Sequence, residues 1–377
     1  MKKHLFFVAL AGVALAGCVK NAVEAPATKQ VKIGFASPVL YSNVDTKASV
    51  YGEIGSHMYG GTGTVYTYPR EESFQIFAVE HSGNLTSWGA ATPTEFDGDA
   101  ISYNKSLDAW APLKDDNSFY YWPDNMQLSF AAMSPADLDV TGATTVYSST
   151  GLVITDFVVA DDPAKQYDLL YSDRSINKTA KDMKDYGASY YGGIPIMFQH
   201  ALSSIHFSLK TTATEEVNLL SITLKNVKNK GTFMENITNE TEFARNPQWT
   251  AAENSEEKDY ISFTGKVEFP LEAQYVSSLA VLDGTDDDDV SHPLLMMPQT
   301  LGSGVVVEVK YEVGGEEKTR TVQLNQYPAN NPITKWEVGT KYTYRLVYSL
   351  EAQRNDIIFF SPETDVWAKG GIIEVTL

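Results

Sequence analysis

Apolar residues recur at every second position along much of this chain, and nowhere do they recur at helical spacing over three or four turns. The clearest run extends from Val305 to Val313, and Gly314-Gly315 follows it directly. Side chains two positions apart lie on the same face of a strand, and paired glycines suit a tight two-residue turn. This run therefore predicts a β-hairpin whose second strand covers Lys318–Leu324.

Similar patterns predict β-strands almost throughout the chain. Residues 74–79 are largely apolar on both faces, which is typical of a strand inside a sandwich. A polar segment rich in Gly and Tyr ends near residue 193 and indicates a boundary. We therefore expect an all-β fold of two tandem antiparallel β-sandwich domains, residues 48–193 and 194–377. The run that follows residue 35 is predicted to be a loop. Further strands are expected at 31–35, 128–130, 151–159, 168–171, 205–209, 220–224, 342–350 and 372–377.

The first eighteen residues carry an export signal. Two lysines precede the apolar run Leu5–Ala16, which is too short to span a bilayer. The run ends in Leu-Ala-Gly-Cys18, which resembles the bacterial lipobox, in which the cysteine becomes the lipidated first residue. We expect a signal peptide at 1–17 and a lipidated propeptide at 18–47. The alternative is an ordinary signal peptide, and it is less favoured because Cys18 is the only cysteine in the chain.

The net charge of the chain limits the kinds of partner that it can bind. The formal net charge is −19, and it becomes −21 when the two lysines of the signal are removed. Such an acidic surface repels nucleic acid, so we expect no nucleic-acid partner. No second apolar stretch approaches the ~18 residues of a spanning helix. Lipid on Cys18 is therefore expected to hold the protein to the outer membrane.

Two groups of residues could hold a metal ion. Asp286–Asp289 offers the carboxylate oxygens that Ca²⁺ prefers, but the spacing of an EF-hand is absent, and a solvated loop explains the run better. His200 and His206 would share a face if one continuous strand contained both. No third ligand accompanies them, so a metal site is disfavoured.

The sequence contains no catalytic signature. There is no Gly-x-Ser-x-Gly motif, acylation of Cys18 leaves no thiol, and nothing selects a pair of carboxylates for glycoside hydrolysis. We therefore expect no enzymatic activity and no cofactor. Aromatic residues are abundant (21 Tyr, 17 Phe and 6 Trp), and in strands they usually belong to the core. An exposed tryptophan such as Trp88 or Trp110 would instead favour an alternative function, that of a non-polymerising, glycan-binding outer-membrane lipoprotein.

Five stretches, taken in order, resemble the fimbrillins, the Mfa-like and FimA-like subunits of type V pili in Bacteroidetes. Each stretch is degenerate alone, but their order along the chain is fairly specific. They are the signal with its Cys18, Tyr120–Pro123 with the following Leu128–Pro135, Tyr167–Tyr171, Ile196–Ser203, and Ile357–Trp367.

This resemblance implies a structural role in a fimbria that supports adhesion, with transthyretin-like sandwich domains. Family members are lipidated, surface-exposed subunits of the outer membrane. A protease removes an N-terminal plug strand, and a C-terminal donor strand of another subunit fills the opened groove. The resemblance gives the plug and donor roles to these residues: Val31, Ile33 and Phe35 in the plug strand, and Ile373, Val375 and Leu377 in the donor strand.

The expected processing site departs from the family pattern. The family usually has arginine where this chain has Lys47, so the cut between Lys47 and Ala48 needs a protease that tolerates lysine. Two alternatives stay open. Cutting could move to the bond between Arg70 and Glu71, or the subunit could remain uncut as a lipidated anchor.

Overall fold

The described part of the protein is built from β-strands and irregular connections. The computed structural model describes fifteen stretches of the chain, and within them there is no α-helix and there are two 3-10 turns, Pro163–Lys165 and Leu324–Gln326. The prediction of an all-β fold is confirmed. The described residues are 31–42, 58–59, 64–85, 93–94, 96–112, 118–138, 143–148, 151–181, 193–211, 213–239, 244–268, 290–291, 293–326, 332–349 and 356–366.

The strands are numbered in chain order. They are β1 (Val39–Ser42), β2 (Met58–Tyr59), β3 (Thr64–Thr67), β4 (Ser73–His81), β5 (Phe96–Asn104), β6 (Ala109–Trp110), β7 (Gln127–Ser134), β8 (Thr144–Ser148), β9 (Gly151–Val158), β10 (Leu170–Ser172), β11 (Ser175–Lys178), β12 (Met197–His200), β13 (Ser203–Thr211), β14 (Val217–Lys228), β15 (Lys230–Met234), β16 (Ile237–Asn239), β17 (Ala244–Arg245), β18 (Gln248–Ala251), β19 (Glu257–Glu268), β20 (Val290–Ser291), β21 (Leu294–Met296), β22 (Val306–Val313), β23 (Glu316–Gln323), β24 (Thr340–Ser349) and β25 (Asp356–Val366).

Five sheets are formed by the described strands. The largest has ten strands in the order β2-β3-β1-β12-β10-β7-β4-β5-β6, and β11 also pairs with β7. The others have the orders β21-β13-β24-β25, β20-β19-β14-β22-β23 and β18-β15-β9-β8, and β16 and β17 form a separate hairpin. Most pairs are antiparallel, but β13 runs parallel to β24, and β1 runs parallel to β12.

The predicted hairpin forms as expected from its glycines. In β22 the residues Val307, Val309 and Tyr311 are buried, and β23 pairs back from Glu316, opposite Val313. Both intervening glycines have positive φ, +59° and +81°. This is the backbone of a type I′ turn, which glycine adopts without steric cost.

The described buried residues form two hydrophobic clusters. The large core draws its buried residues from positions 77 to 348. The small core contains many aromatic residues and is formed by Ile33, Phe35, Leu40, Tyr68, Phe74, Ile76, Ala78, Phe96, Ile101, Trp110, Trp122, Leu128, Phe130, Ala132, Leu170, Ile194, Ile196 and Phe198.

Strands from both sides of the predicted domain boundary meet in one sheet and in the large core. Strands β8 and β9 precede residue 193, yet β9 pairs with β15, which follows it. The division into domains 48–193 and 194–377 therefore stays a prediction.

A buried ion pair joins the ten-stranded sheet to the sheet of β9 and β15. Arg174, between β10 and β11, contacts the carboxylate of Glu235, which directly follows β15, and the side chains are 3% and 0% exposed. The Glu235 carboxylate also accepts a hydrogen bond from the main-chain N–H of Leu152 at 3.0 Å. The close approach needs a glycine at Gly151, because a Cβ there would lie 2.5 Å from the carboxylate oxygen.

Candidate strand-acceptor groove

Residues 31–42, which we name the N-terminal segment, lie in a groove of the small core. On one side of this groove the main-chain N–H of Phe35 donates to the carbonyl of Trp110 at 2.8 Å. The N–H of Ile33 likewise donates to the carbonyl of Tyr120 at 2.9 Å. The segment is thus extended and antiparallel to both flanking stretches at these contacts.

The chain around Ile194 forms the opposite wall of the groove and runs parallel to the segment. The carbonyl of Gly34 accepts a hydrogen bond from the N–H of Ile194 at 3.0 Å, and the carbonyl of Ile194 accepts one from Ala36 at 2.9 Å. Further on, the N–H of Val39 donates to Ile196 at 3.0 Å, where β1 begins to pair with β12. Main-chain bonds therefore hold the segment from both sides.

Three apolar side chains of the segment enter the small core. Ile33, Phe35 and Leu40 are 0%, 3% and 2% exposed. The ring of Phe35 meets the rings of Phe74 and Phe130 edge to face, with centroids 5.9 and 5.7 Å apart. Edge-to-face pairs add to the stabilisation that burial alone supplies. Of the three residues expected in the plug strand, Ile33 and Phe35 are thus buried, and Val31 is partly buried against the same core.

The predicted strand at 31–35 forms isolated bridges instead of a continuous ladder. The alternation changes phase after Phe35, because Ala36 and Leu40 are buried as well. At this point Gly193 lies against the segment, and a Cβ on it would be 2.3 Å from the carbonyl carbon of Phe35 and 2.4 Å from the nitrogen of Ala36. The absence of a side chain at Gly193 thus permits the contact.

Strand β1 lies where the sequence predicts a loop. It is inserted in the ten-stranded sheet between β3, to which it is antiparallel, and β12, to which it is parallel. Leu40 is paired with Tyr66 on one side and Phe198 on the other. The apolar residues of this four-residue strand are too few to give a recognisable period, which explains why the pattern missed it.

The connection from β3 to β4 is held by Tyr68. Its main-chain N–H donates to the carbonyl of Pro38 at 2.8 Å, so it is also tied to the N-terminal segment. Its hydroxyl donates to the carbonyl of Ser73 at 2.8 Å and lies 2.7 Å from the Ser134 hydroxyl oxygen. Burial raises the pKa of the Tyr68 phenol far above its ordinary value, so this side chain stays a neutral hydrogen-bond donor.

Arg70 and Glu71, the alternative processing pair, lie in an exposed turn two residues after Tyr68. The Arg70 guanidinium is 3.7 Å from the Asp108 carboxylate and lies 4.3 Å from the centre of the Tyr103 ring. The Tyr103 hydroxyl donates to Asp108, and this bond raises the pKa of the phenol. The side chain of Arg70 is nevertheless 60% exposed.

The two histidines belong to different strands, so the condition for a shared face, one continuous strand, is not met. His200 ends β12 and His206 lies in β13, which belongs to another sheet. His200 Nδ1 is 2.8 Å from a carboxylate oxygen of buried Asp168, whereas His206 Nε2 is 2.6 Å from the Ser204 hydroxyl oxygen. No group of three or more possible metal ligands occurs among the described residues.

The hypothesis that Trp110 is an exposed stacking platform is wrong. It is 1% exposed, and its ring packs against those of Tyr68, Phe74 and Tyr103. The hypothesis of glycan binding through this tryptophan is therefore not supported. The remaining predicted residues lie outside the described ranges: Cys18, Lys47, Ala48, Trp88, Asp286–Asp289, Ile373, Val375 and Leu377.

The described part of the chain contains no helix that is long and apolar enough to cross a membrane.

The chain is similar to known proteins in sequence and in structure. A family model described as fimbrillin-like matches residues 70–367. A solved fimbrial protein from Bacteroides vulgatus has a TM-score of 0.54 and 17% identity, with 89% of this chain and 99% of that chain covered. A candidate cell adhesion protein from Bacteroides uniformis has a TM-score of 0.49 and 14% identity, covering 90% and 99%. No curated protein sequence matches the chain.

Proposed function

The chain belongs to the fimbrillin-like family, and from this premise we propose that it is a non-catalytic structural subunit of a cell-surface fimbria, assembled by strand replacement. Export as a lipoprotein through Cys18 and a role in adhesion are parts of the same proposal. The observation that carries it is the N-terminal segment, which fills the small core although it precedes both expected processing sites.

Removal of this segment would create a site for another strand. The main-chain groups of Trp110, Tyr120 and Ile194 that now bind it would lose their partners, and the space occupied by Phe35 would be open. Unpaired main-chain groups beside apolar pockets are the features that bind an incoming strand by β-augmentation. While present, the segment prevents such binding, which keeps the precursor monomeric until it is processed.

The C-terminal residues repeat the pattern of the plug strand. In residues 31–35 three apolar side chains alternate with a lysine and a glycine, and in residues 373–377 three apolar side chains alternate with a glutamate and a threonine. A Cβ added at Gly34 would meet only the carbonyl oxygen of Trp110, at 3.7 Å, so the threonine is sterically acceptable there. This likeness supports the C-terminal residues as the donor strand.

The two candidate processing sites would release different parts of the sheet. A cut after Lys47 frees β1 and leaves β2 and β3, whereas a cut after Arg70 frees all three strands. The exposure of Arg70 and the start of the family match at residue 70 support the second site. Either cut opens β12 to a new partner. Because acceptor and donor are different surfaces, repeated contacts of this kind build a filament.

Assembly can be tested with protein that has been treated with trypsin under limiting conditions. We expect the treated protein to form multimers visible by light scattering and electron microscopy, and the untreated precursor to stay monomeric. Mass spectrometry of protein from native cell surfaces should find a new N-terminus at Ala48 or Glu71. A chain that remains intact from an acylated Cys18 would contradict processing of this subunit.

The donor strand can be tested with a matched pair of substitutions. Val375→Asp places a charge on the apolar face of the C-terminal residues and should abolish multimers, whereas Thr376→Asp alters the opposite face and should leave them. Equal assembly by both variants, or unchanged assembly after deletion of residues 372–377, would exclude the C-terminal donor.

A further inference from the structure

The Phe35 pocket and the position of Lys32 identify the chemistry of the preferred donor strand. We infer that the groove favours a strand with an aromatic residue in the Phe35 pocket and a basic residue at the position of Lys32. The C-terminal strand of this chain has neither, so the preferred partner is the donor strand of a different subunit. This inference rests on the proposed strand replacement.

The Phe35 pocket has rigid aromatic walls. Phe74 belongs to β4 and Phe130 to β7, and these strands are neighbours, paired along seven positions in the middle of the ten-stranded sheet. Their rings meet Phe35 at interplanar angles of 86° and 89°. A leucine in this pocket would lose both edge-to-face contacts. The paired strands can close little of the space that it leaves empty.

The depth of the pocket is fixed by main-chain contacts. The N–H of Phe35 donates to the carbonyl of Trp110, and Gly193 touches the main chain at Phe35 and Ala36 from the other side. An incoming strand therefore cannot move far toward the pocket to compensate for a shorter side chain. Shape at this position consequently discriminates between donor strands.

A second position discriminates by charge. The Lys32 ammonium lies 3.4 Å from the centre of the Phe119 ring, at the exposed mouth of the groove. The negative face of an aromatic ring attracts a cation and repels a carboxylate. The net charge of −19 also favours a basic residue in a bound strand.

The C-terminal strand differs from the plug strand at these two positions. When residues 373–377 are placed in the direction and register of residues 31–35, Leu377 enters the Phe35 pocket and Glu374 faces Phe119. Leucine leaves part of the Phe35 pocket empty, and glutamate places a carboxylate against the Phe119 ring. Polymers of this chain alone would therefore be weaker than joints with a subunit that supplies the aromatic and basic pair.

Peptide exchange tests this inference on the full chain. The chain is nicked by limited trypsin digestion between the N-terminal segment and β4, so that all residues remain present. Fluorescein-labelled peptides then compete with the nicked segment, and binding is followed by fluorescence anisotropy. The peptides are residues 29–42, residues 366–377, and the second peptide carrying L377F, E374K or V375F.

We expect L377F to bind about tenfold more tightly than the unchanged C-terminal peptide, because it restores the ring contacts. E374K should improve binding about threefold, through the cation and the ring. V375F is the matched control: it adds the same ring at the neighbouring apolar position and should bind no better. Equal binding of L377F and the unchanged peptide would overturn the inference while leaving strand replacement intact. Failure of every peptide, including residues 29–42, would overturn both.

Discussion

The two cores of this protein differ in how the chain contributes to them. Among the described residues, those buried in the large core begin at position 77, so they all follow both expected processing sites. The small core includes Ile33, Phe35 and Leu40, which precede both sites. One core is thus independent of the N-terminal segment, whereas the other is complete only with it.

Under the proposed strand replacement, this difference would let one β-rich chain combine a stable body with a replaceable strand. Strands β6 and β12, which hold the segment on its two sides, belong to the ten-stranded sheet and follow both expected processing sites. The segment itself is held by main-chain bonds and a few large side chains. A strand of another chain could supply contacts of the same kind. Four substitutions test the contrast, in order of decreasing expected effect.

Arg174→Met should lower the free energy of unfolding more than the other three substitutions. The loss should be similar in the full chain and in the processed chain that lacks the N-terminal segment. It leaves the buried Glu235 carboxylate without its cation, which typically costs about 3–5 kcal/mol. Urea unfolding of the full and the processed chain measures the loss. The double variant Arg174→Met/Glu235→Leu should recover most of the stability, since an apolar pair can replace a buried ion pair. A mild effect of the single variant would contradict this account.

Phe35→Ala should distinguish the two cores by its effect on stability. Truncating a buried phenylalanine costs about 3 kcal/mol or more, and here the loss should fall on the full chain only. The matched variant Phe207→Ala lies in the large core and should weaken the full and processed chains alike. If Phe35→Ala destabilised the processed chain too, the segment would not be the removable part.

Gly193→Ala should destabilise the bound position of the N-terminal segment by about 1–3 kcal/mol, because a new methyl group would overlap the main chain at Phe35 and Ala36. The expected result is faster proteolysis within residues 31–42. Gly302→Ala is the control, since a Cβ there has no neighbour within 4 Å. Identical proteolysis of the two variants would show that the contact is not needed.

Asp108→Asn should have the smallest effect. It removes the ion pair that engages Arg70, and exposed pairs contribute less than about 1 kcal/mol. Cleavage by trypsin after Arg70 should become a few times faster, as followed by mass spectrometry. Asp124→Asn, at another exposed turn, is the control. Unchanged cleavage in the Asp108 variant would mean that the ion pair does not restrict access to Arg70.

The sequence predicted the elements that are determined locally. The Gly314-Gly315 hairpin and the burial of Ile33 and Phe35 follow from turn chemistry and alternation, which act over a few residues. The strand change between His200 and His206 occurs at Ala201-Leu202, where neither glycine nor proline marks a break. Local pattern therefore could not detect it.

Other features depend on residues that are distant in the chain. The parallel pairing of β13 with β24 joins positions more than 130 residues apart, and no local signal records it. The role of Gly193 likewise depends on Phe35, which is more than 150 residues away. The expected groove was thus predictable by resemblance and alternation, but its walls and the phase change within it were not.

The position of β1 between two strands has a mechanical consequence for a fibre assembled in this way. Four residue pairs connect β1 to β3, and two connect it to β12. A donor strand that replaces β1 after a cut at Lys47 would form hydrogen bonds with both β3 and β12. Tension along the fibre would then load both of these ladders in shear. A cut at Arg70 removes β3 and with it the longer ladder. The choice of cleavage site would therefore set the force at which each joint fails.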